Sequence, residues 1–541
     1  MTTPIQIVWF KRDLRVTDHA PLAMAAKAGA VLPIFAWEPS VWQPSFWQAT
    51  SGTNDYAKQH QVFVTECLKT LRADLTLLGL HLLESPHGII NALNQIRPKV
   101  LIANIFSSEE TGNDATFTVD KSVASWCKTH GVNWVEIPQN GVVRALQNRN
   151  HWNAHWEKRM AAAQFQTPTT IISIKDLTLD LPIDKSHFNV HGKDKPQRQQ
   201  GGRNNAMAML TSFLEGRAAR YRGGISSPIN AVTAGSRLSP YLAWGVISMR
   251  EVVQATRLQQ LNIAEAPQHY PRSLSAGLRG FESRLHWHCH FMQKLESEPA
   301  IEFNNMHRAH DGMRDELISS TESQLRLAAW TTGETGWPLV DACMAMLRET
   351  GWINFRMRAM LMSTASYLFW LHWRAPGLHL AREFLDYEPG IHWPQAQMQA
   401  GTTGINTLRI YNPVKQAMDQ DTEGKFVRHW LPALKNVPND WIFNPWLMPD
   451  NLQIKYGCKI GRDYPAPLVT IEQAAREAKA HISAARKSPL MQTETAAVIK
   501  KHASRKGMQG SNRDANGKEI SMNKRKKTNA IIAPKLQQEL F

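Results

Sequence analysis

The first 137 residues repeat a strand-then-helix pattern, and this alternation restricts the fold more than any other feature of the chain. Five short segments rich in branched and aromatic residues predict strands, and amphipathic stretches such as 56–78 and 118–129 predict helices between them. Helical connections between consecutive strands favour a parallel sheet covered on both faces. We therefore predict an α/β doubly wound domain over residues 1–137, with strands at 5–10, 30–37, 80–83, 100–106 and 132–137.

The remainder of the chain divides into three regions of different composition. Residues 138–202 are mixed and polar, which is typical of an interdomain linker. Residues 203–490 show helical periodicity and predict an all-helical domain large enough to enclose a cofactor. Residues 491–541 hold 11 Lys and Arg against 4 Asp and Glu, and 507–527 has almost no large apolar residue, so we predict a disordered basic tail.

Charge and cysteine usage restrict the class of protein. The chain has 62 Lys and Arg against 46 Asp and Glu, a net charge of +16, which favours nucleic acid or another polyanion as partner. The five cysteines are scattered without a CxxC pair, which argues against a disulfide framework or a structural metal site and fits a reducing compartment. No apolar run reaches membrane-spanning length and no signal peptide is visible, so we expect a soluble cytoplasmic monomer that does not bind membranes.

Three motifs carry chemical information. Trp9–Arg15, which contains Lys11-Arg12-Asp13, directly follows the first strand but lacks the GxGxxG of nicotinamide dehydrogenases. Gly235–Leu242 reads GSRLSPYL; Ser and Gly before Pro predict a helix N-terminus, where free backbone N–H groups can hold a phosphate, with simple helix capping as the alternative. Trp330–Trp352 reads WTTGETGWPLVDACMAMLRETGW and is followed by Ile353–Arg358.

These motifs resemble those of the photolyase/cryptochrome family from about residue 5 to 480. The first is similar to the family's RRDLR opening, the second to TSRLSPYL, and the third stands in register with W-x-x-G-x-T-G-x-P-x-V-D-A. The resemblance implies bound FAD and a second, antenna chromophore of unknown identity. It points to the class I-like bacterial branch, because no four clustered cysteines exist for the iron–sulfur branch. Gly235 replaces the usual Thr, and Phe355 replaces an Asn near flavin and substrate.

The resemblance also implies a set of cofactor-binding residues. Arg358 would pair with the flavin-site carboxylate Asp386, and Glu388 replaces the family's second Asp. His392 stands where photolyases commonly have an Asn beside flavin N5, and because His titrates near physiological pH we expect its protonation to follow the flavin redox state. A packed core histidine is the alternative. The full set is Tyr221, Gly235, Ser236, Arg237, Leu238, Ser239, Arg356, Arg358, Asp386, Glu388 and His392.

On the substrate side, the resemblance makes Trp287 the residue that stacks on a flipped base. Arg284 replaces a Glu that hydrogen-bonds the damaged base, so hydrogen-bond acceptors become donors. His288 and Met398 complete the expected DNA contacts, and Trp287, His392 and Trp373 are expected to carry the chemistry.

The electron route to the flavin departs from the family pattern. Of the three tryptophans that many members use, only Trp373 is in place, with Ala396 at the flavin-proximal position and Ser320 near the distal one. Another route must be used or none. The substitutes that we consider are Trp337, Trp352, Trp370 and Trp393.

Two functions remain open at this point. The first is a light-driven, nucleoid-associated photolyase, in which reduced FAD donates an electron to a pyrimidine dimer or (6-4) lesion in UV-damaged DNA; the basic charge favours it. The second is a cryptochrome-like photoreceptor, which the altered pocket and the interrupted tryptophan series favour.

Gln537–Phe541 resembles the Q-L-[SD]-L-F peptide that bacterial repair proteins insert into the sliding clamp, with Gln538 where Leu is usual; an incidental chain end is the alternative.

Overall fold

A five-stranded parallel sheet forms the N-terminal part of the chain, as the alternating pattern predicts. The computed structural model describes residues 4–42, 55–174 and 190–504. The strand order is β3-β2-β1-β4-β5, which places the first strand at the centre and confirms the doubly wound topology. The third strand begins three residues later than expected. The strands are β1 Ile5–Phe10, β2 Ala30–Ala36, β3 Leu83–Ser85, β4 Ile102–Ser108 and β5 Asn133–Ile137.

Burial explains why the first two strands read as continuous apolar runs. Every residue of β1 and of β2 is buried, because helices cover both faces of the sheet. The helix before β5 begins at Asn113, whose side chain accepts the Thr116 N–H at 3.1 Å, and ends at Gly131 with a left-handed φ of 67°. The covering helices are α1 Ala20–Ala28, α2 Pro39–Trp42, α3 Lys58–Leu77, α4 Ile89–Ile96 and α5 Asp114–His130.

Residues 138–202 do more than link two domains. A helix, α6 (Trp152–Ala161), lies in this region, and Trp152 and Trp156 each pack edge-on against His286 at 4.9 Å. Ser173 pairs with Val31 at the end of β2. The described part of the predicted linker is therefore fastened to both the sheet and the helical region.

The region from residue 203 is helical, as predicted. The helices on either side of Gly245 are separate, because Gly245 turns the chain with φ of 59° against the backbone of Arg12. No helix in the described ranges is long and apolar enough to cross a membrane. The helices are α7 Arg203–Glu215, α8 Tyr221–Gly224, α9 Ala231–Ala234, α10 Ser239–Ala243, α11 Met249–Glu265, α12 Arg272–Ser297, α13 Thr321–Thr332, α14 Pro338–Thr350, α15 Phe355–Ser363, α16 Arg374–Glu383, α17 Pro389–Ala400, α18 Pro413–Gln420, α19 Lys425–Trp430, α20 Asp450–Tyr456, α21 Ile471–Arg486 and α22 Pro489–His502.

The last helix corrects the predicted start of the tail. Disorder from residue 491 is wrong for residues 491–502, which belong to α22. Ser488 caps this helix through the Met491 N–H, and the buried side chain of His502 contacts the Glu298 carboxylate at 2.7 Å. A local cap and one buried polar contact thus help to hold this helix, which contains two Lys and one Glu. Gln537–Phe541 lies outside the described residues.

The sheet and the helices share one hydrophobic cluster, which contains Phe10 of β1 as well as Trp244 and Tyr387. Arg12 fastens the two regions: its Nε donates to the Ala243 carbonyl at 2.7 Å and its Nη2 to the Tyr387 carbonyl at 2.8 Å. The guanidinium also lies 4.9 Å from the Trp244 ring centroid. The charge of Arg12 after β1 is therefore part of a buried contact between the sheet and the helical region.

Candidate functional site

A buried ion pair forms the centre of the candidate site. Arg358 of α15 donates from Nη1 and Nη2 to the two carboxylate oxygens of Asp386, both at 2.9 Å. The charge of Arg358 and a hydrogen bond from Ser239 hold the pKa of Asp386 below its usual range, although burial opposes them. The sequence-predicted residues Arg358, Asp386 and Ser239 are thus brought together, and the carboxylate is ionised at neutral pH.

The loop before α10 holds a strained arginine beside this pair. Arg237 adopts φ of 61°, which is rare for a residue with a long side chain, and its guanidinium lies 3.8 Å from the Trp352 ring centroid. Burial lowers the pKa of Arg237 to about 10, and the nearby charge of Asp386 offsets part of that effect. Gln199 holds this conformation from both sides, since it accepts from Arg237 Nε at 3.0 Å and donates to its carbonyl at 2.9 Å.

The rest of the loop is fixed by its carbonyl groups. Arg217 donates to the carbonyls of Gly235 and Ser236, the latter at 3.2 Å. A Cβ on Gly235 would stand 2.8 Å from the Ala231 carbonyl oxygen, so the Gly found in place of the family's Thr suits this turn. Leu238 is fully buried and anchors the loop. Gln199 and Arg217 were not predicted from the sequence. Each of them bonds the loop through its side chain from a position outside the Gly235–Leu242 motif.

Tyr221 and Arg284 lie together. The Tyr221 ring packs edge-on against Phe213 and Phe281 at 5.6 and 5.9 Å, and burial raises the pKa of its hydroxyl. Arg284 of α12 hydrogen-bonds that hydroxyl. The Arg that replaces the expected lesion-binding Glu therefore contacts a residue of the predicted cofactor set.

Trp287 and His288 follow one turn later on α12. The Trp287 ring packs against His290 and Phe291 at 4.8 and 5.7 Å, and both Trp287 Nε1 and His288 Nδ1 are buried without a hydrogen-bond partner among the described residues. Burial, reinforced by Arg12, lowers the pKa of His288 to about 4, while the charge of Asp386 opposes this. Buried ring nitrogens without a partner fit a ligand with polar ring edges, and FAD is such a ligand.

His392 is a neutral histidine in this structure. It lies on the first turn of α17, with Nε2 2.8 Å from the Gly377 carbonyl, so the proton is on Nε2 and Nδ1 is an acceptor. Burial lowers the pKa of His392 to about 4. The expectation that it titrates near physiological pH is therefore corrected, because desolvation of the charged ring outweighs the hydrogen bond that favours it.

Two buried indoles lie where the tryptophan series is interrupted. Trp373 is fully buried, donates from Nε1 to Asn305 at 2.8 Å, and lies 5.9 Å from the Trp393 ring centroid. The Trp393 ring also contacts His392 at 5.0 Å and lies against the face of Gly377, beside Ala396 Cβ. Trp393 therefore occupies space next to the position that lost its tryptophan.

Glu388 is separated from the partners of Asp386. It caps α17 and faces Arg12, with 3.4 Å between Oε2 and Nη2. Burial raises the pKa of Glu388 to about 7, and Arg12 opposes that rise. Arg12, Glu110, His288 and Glu388 line a cleft between the sheet and the helices, so Glu388 belongs to this cleft as well as to the edge of the site.

Part of the longest motif maintains the fold. The carboxylate of Asp341 accepts the N–H groups of Thr335 and Gly336 at 2.9 and 3.1 Å at the start of α14. Gly336 has φ of 79°, and a Cβ there would stand 2.5 Å from Pro467 N. The G-x-T-G-x-P-x-V-D pattern thus closes a tight turn and caps a helix rather than contacting the central ion pair.

The other predicted residues surround the site. Arg356 and Met398 are half-buried on α15 and α17, Phe355 is exposed, and Ser320 caps α13 at the surface. Trp337 packs on Phe369 at 4.9 Å and Trp370 on His481 at 4.8 Å. All five cysteines are free and buried, and no group of His, Cys, Asp and Glu within the described ranges could hold a metal ion.

Comparison with known proteins places these observations in context. Residues 6–151 match the family described as DNA photolyase, and residues 281–484 match the FAD binding domain of DNA photolyase. Cryptochrome-2 of Arabidopsis thaliana is 26% identical over 517 residues, covering 90% of this chain and 80% of its own length. The deoxyribodipyrimidine photo-lyase of Alkalihalophilus pseudofirmus is 26% identical over 500 residues, covering 88% and 97%. A solved cryptochrome from Synechocystis has the same fold, with a TM-score of 0.77 and 23% identity over 89% of this chain and 99% of its own.

Proposed function

This chain belongs to the photolyase/cryptochrome family and carries its FAD-binding domain, and on that premise we propose that it is a DNA photolyase that splits UV-induced pyrimidine lesions in the light. The observation that carries the proposal is the arrangement of two neighbouring residues on α12. Trp287 has an unpaired indole N–H and directly precedes His288, whose pKa is lowered by burial and raised by the charge of Asp386. This neighbourhood supports a base-stacking surface next to the cofactor site. The net charge of +16 supports DNA as partner.

The residues of the site would bind the cofactor and the DNA. FAD bound at this site would supply the electron-transfer chemistry, and the chain's own residues would hold it and position the DNA. Arg358 and Asp386 fix one edge of the site, Arg237 places a positive charge beside it, and Trp287 offers a face on which an extruded base can stack. His392 contributes an acceptor nitrogen rather than a proton at neutral pH.

Illumination of the reduced holoprotein with dimer-containing DNA tests the proposal. We expect restoration of the undamaged bases in the light and none in the dark, with Trp287→Ala strongly reduced and Met398→Ala less affected. Parallel substrates with a pyrimidine dimer and a (6-4) lesion identify the lesion class. Repair of neither lesion by fully FAD-loaded, reduced protein would refute the proposal.

A photoreceptor without repair is the second candidate, and one observation favours it. Arg284, where a lesion-binding carboxylate is expected, donates to Tyr221, so the pocket gains a cation and loses an acceptor. In that case illumination should change the protein without repairing DNA. Arg284→Glu separates the two candidates: a gain of repair would show that this position alone had removed the activity.

The cleft and the chain end support two finer proposals. The cleft lined by Arg12, Glu110 and Glu388 is a candidate location for an antenna chromophore, and co-purification of a second chromophore with the protein tests this. The sequence Gln537–Phe541 supports binding to a bacterial sliding clamp. A titration of the last fifteen residues against the clamp, with Leu540→Ala/Phe541→Ala as control, should show binding by the wild-type peptide alone.

A further inference from the structure

A buried arginine without a carboxylate partner packs on the ring of Trp370. Arg314 is 4% exposed; its Nε donates to the Ser366 carbonyl at 3.0 Å and its Nη2 to the Ala400 carbonyl at 3.1 Å. Its Nη1 is buried with no hydrogen-bond partner among the described residues, and no carboxylate there lies within 4.0 Å. A buried guanidinium normally pairs with an acid, because desolvation of an unpaired charge is costly.

The neighbouring side chains are also unsatisfied. His310 is 2% exposed, and both of its ring nitrogens are buried without a partner. A neutral imidazole always carries one N–H, so a donor is orphaned in either tautomer. Ser366, whose carbonyl binds Arg314, leaves its hydroxyl buried and unpaired as well. Arg314, His310 and Ser366 therefore each have a polar group that is buried and has no partner among the described residues.

Positive groups act on His310, and the Glu494 carboxylate lies 3.8 Å from the neighbouring His307. The pKa of His310 is lowered to about 4 by burial, and then by the charges of His307, Arg314 and Arg486. Burial lowers the pKa of Arg314 to about 10, which leaves the guanidinium charged at neutral pH. The aromatic faces of Trp370 and Tyr367, 4.4 and 5.7 Å from the guanidinium carbon, supply no full negative charge.

The backbone around Arg314 is held in unusual conformations. Trp370 has φ of 56° and Ile318 φ of 51°, both costly for bulky residues, and residues Thr364–Leu368 form a π-helical turn. Such features persist only where the surroundings hold them in place. They lie on the segments that contain Ser366 and directly follow Arg314.

We propose that Arg314, His310 and Ser366 form a binding site for a small monovalent inorganic anion of the halide type. Such an anion accepts hydrogen bonds from N–H and O–H donors at once and supplies the missing negative charge. A water molecule would satisfy some donors and leave the guanidinium charge uncompensated. A larger organic anion is disfavoured, because Arg314, His310 and Ser366 are all closed to solvent.

Bromide is the probe, because it replaces chloride and is identified by anomalous diffraction. Crystals of the wild-type protein grown in bromide should show an anomalous peak in contact with Arg314 Nη1. In solution, the melting temperature should rise and saturate with bromide at constant ionic strength, with gluconate as the counter-anion. Arg314→Met should abolish this saturating rise, whereas Arg308→Met, on the exposed side of the same segment, should keep it. Water density at the site in bromide crystals, or an equal bromide response in Arg314→Met, would overturn the proposal, and neither measurement depends on repair activity.

Discussion

Replacement of Asp386 by Asn tests the centre of the site with one exchanged atom. The change keeps the shape of the side chain, removes its charge and sets an amide N–H₂ against Arg358, which now donates twice to the carboxylate. Asp386 also accepts from Ser239, so one substitution disturbs the ion pair and the loop before α10 together. We expect both lower stability and loss of bound FAD.

The magnitude follows from the burial of the pair. Removal of one partner of a buried pair costs about 3–5 kcal/mol. The side chain of Asp386 is 4% exposed and that of Arg358 is 21% exposed. Arg358 also retains the Ile353 carbonyl at 2.8 Å, which places the loss near the lower limit, about 3 kcal/mol. If half of this loss falls on cofactor binding, affinity for FAD decreases about tenfold.

The assay compares FAD content and urea unfolding in the variant with those of a matched control. Asp18→Asn makes the same chemical change in a buried pair, since Asp18 is 2% exposed and accepts from Arg250 at 2.8 Å, outside the site. The control should lose stability and keep its flavin. Equal FAD content in Asp386→Asn and wild type, or equal loss in both variants, would remove Asp386 from the cofactor site.

Three further predictions follow from the same geometry. Trp373→Phe should slow flavin photoreduction only in part, and Trp393→Phe should also slow it, because the two rings lie 5.9 Å apart; complete loss in Trp373→Phe alone would contradict this route. Burial raises the pKa of Glu388 from 4.5 to about 7. The free energy of unfolding of the wild type should therefore decrease as the pH rises from about 4.5 to about 7, by up to about 3 kcal/mol. Urea unfolding of Glu388→Gln should show a smaller dependence on pH over this range. The pKa of His392 is about 4, so flavin photoreduction in wild type and His392→Asn should show the same pH dependence above pH 6, and a step near neutral pH in wild type alone would refute the neutral histidine.

The sequence predicts the fold well where local patterns decide it. The mostly apolar β1 and the fully apolar β2, and the Asn113 cap with Gly131 at the end of α5, each specify their element without help from distant residues. The pairing of Arg358 with Asp386 was also predictable, because the resemblance places both residues in motifs with fixed spacing.

Tertiary contacts explain what the sequence did not predict. His392 is an ordinary histidine by type, and only its burial against Gly377 shows that it remains neutral. Glu388 stands two residues after Asp386, yet it faces Arg12 from the other end of the chain. Helix α22 was not predicted, because it depends on a contact between His502 and Glu298, which lie far apart in the chain.

A protein whose sheet and helices share one hydrophobic cluster is not modular in the way that its two family matches suggest. Arg12 crosses from the sheet to carbonyl groups of Ala243 and Tyr387, and Gly245 must remain without a side chain so that the backbone of Arg12 can approach. Exchange of the first 137 residues with those of a relative would therefore succeed only if the incoming segment brought an arginine at the same place. Recombination between related genes would therefore keep the two halves together, because a half from another protein would lack the matching interface residues.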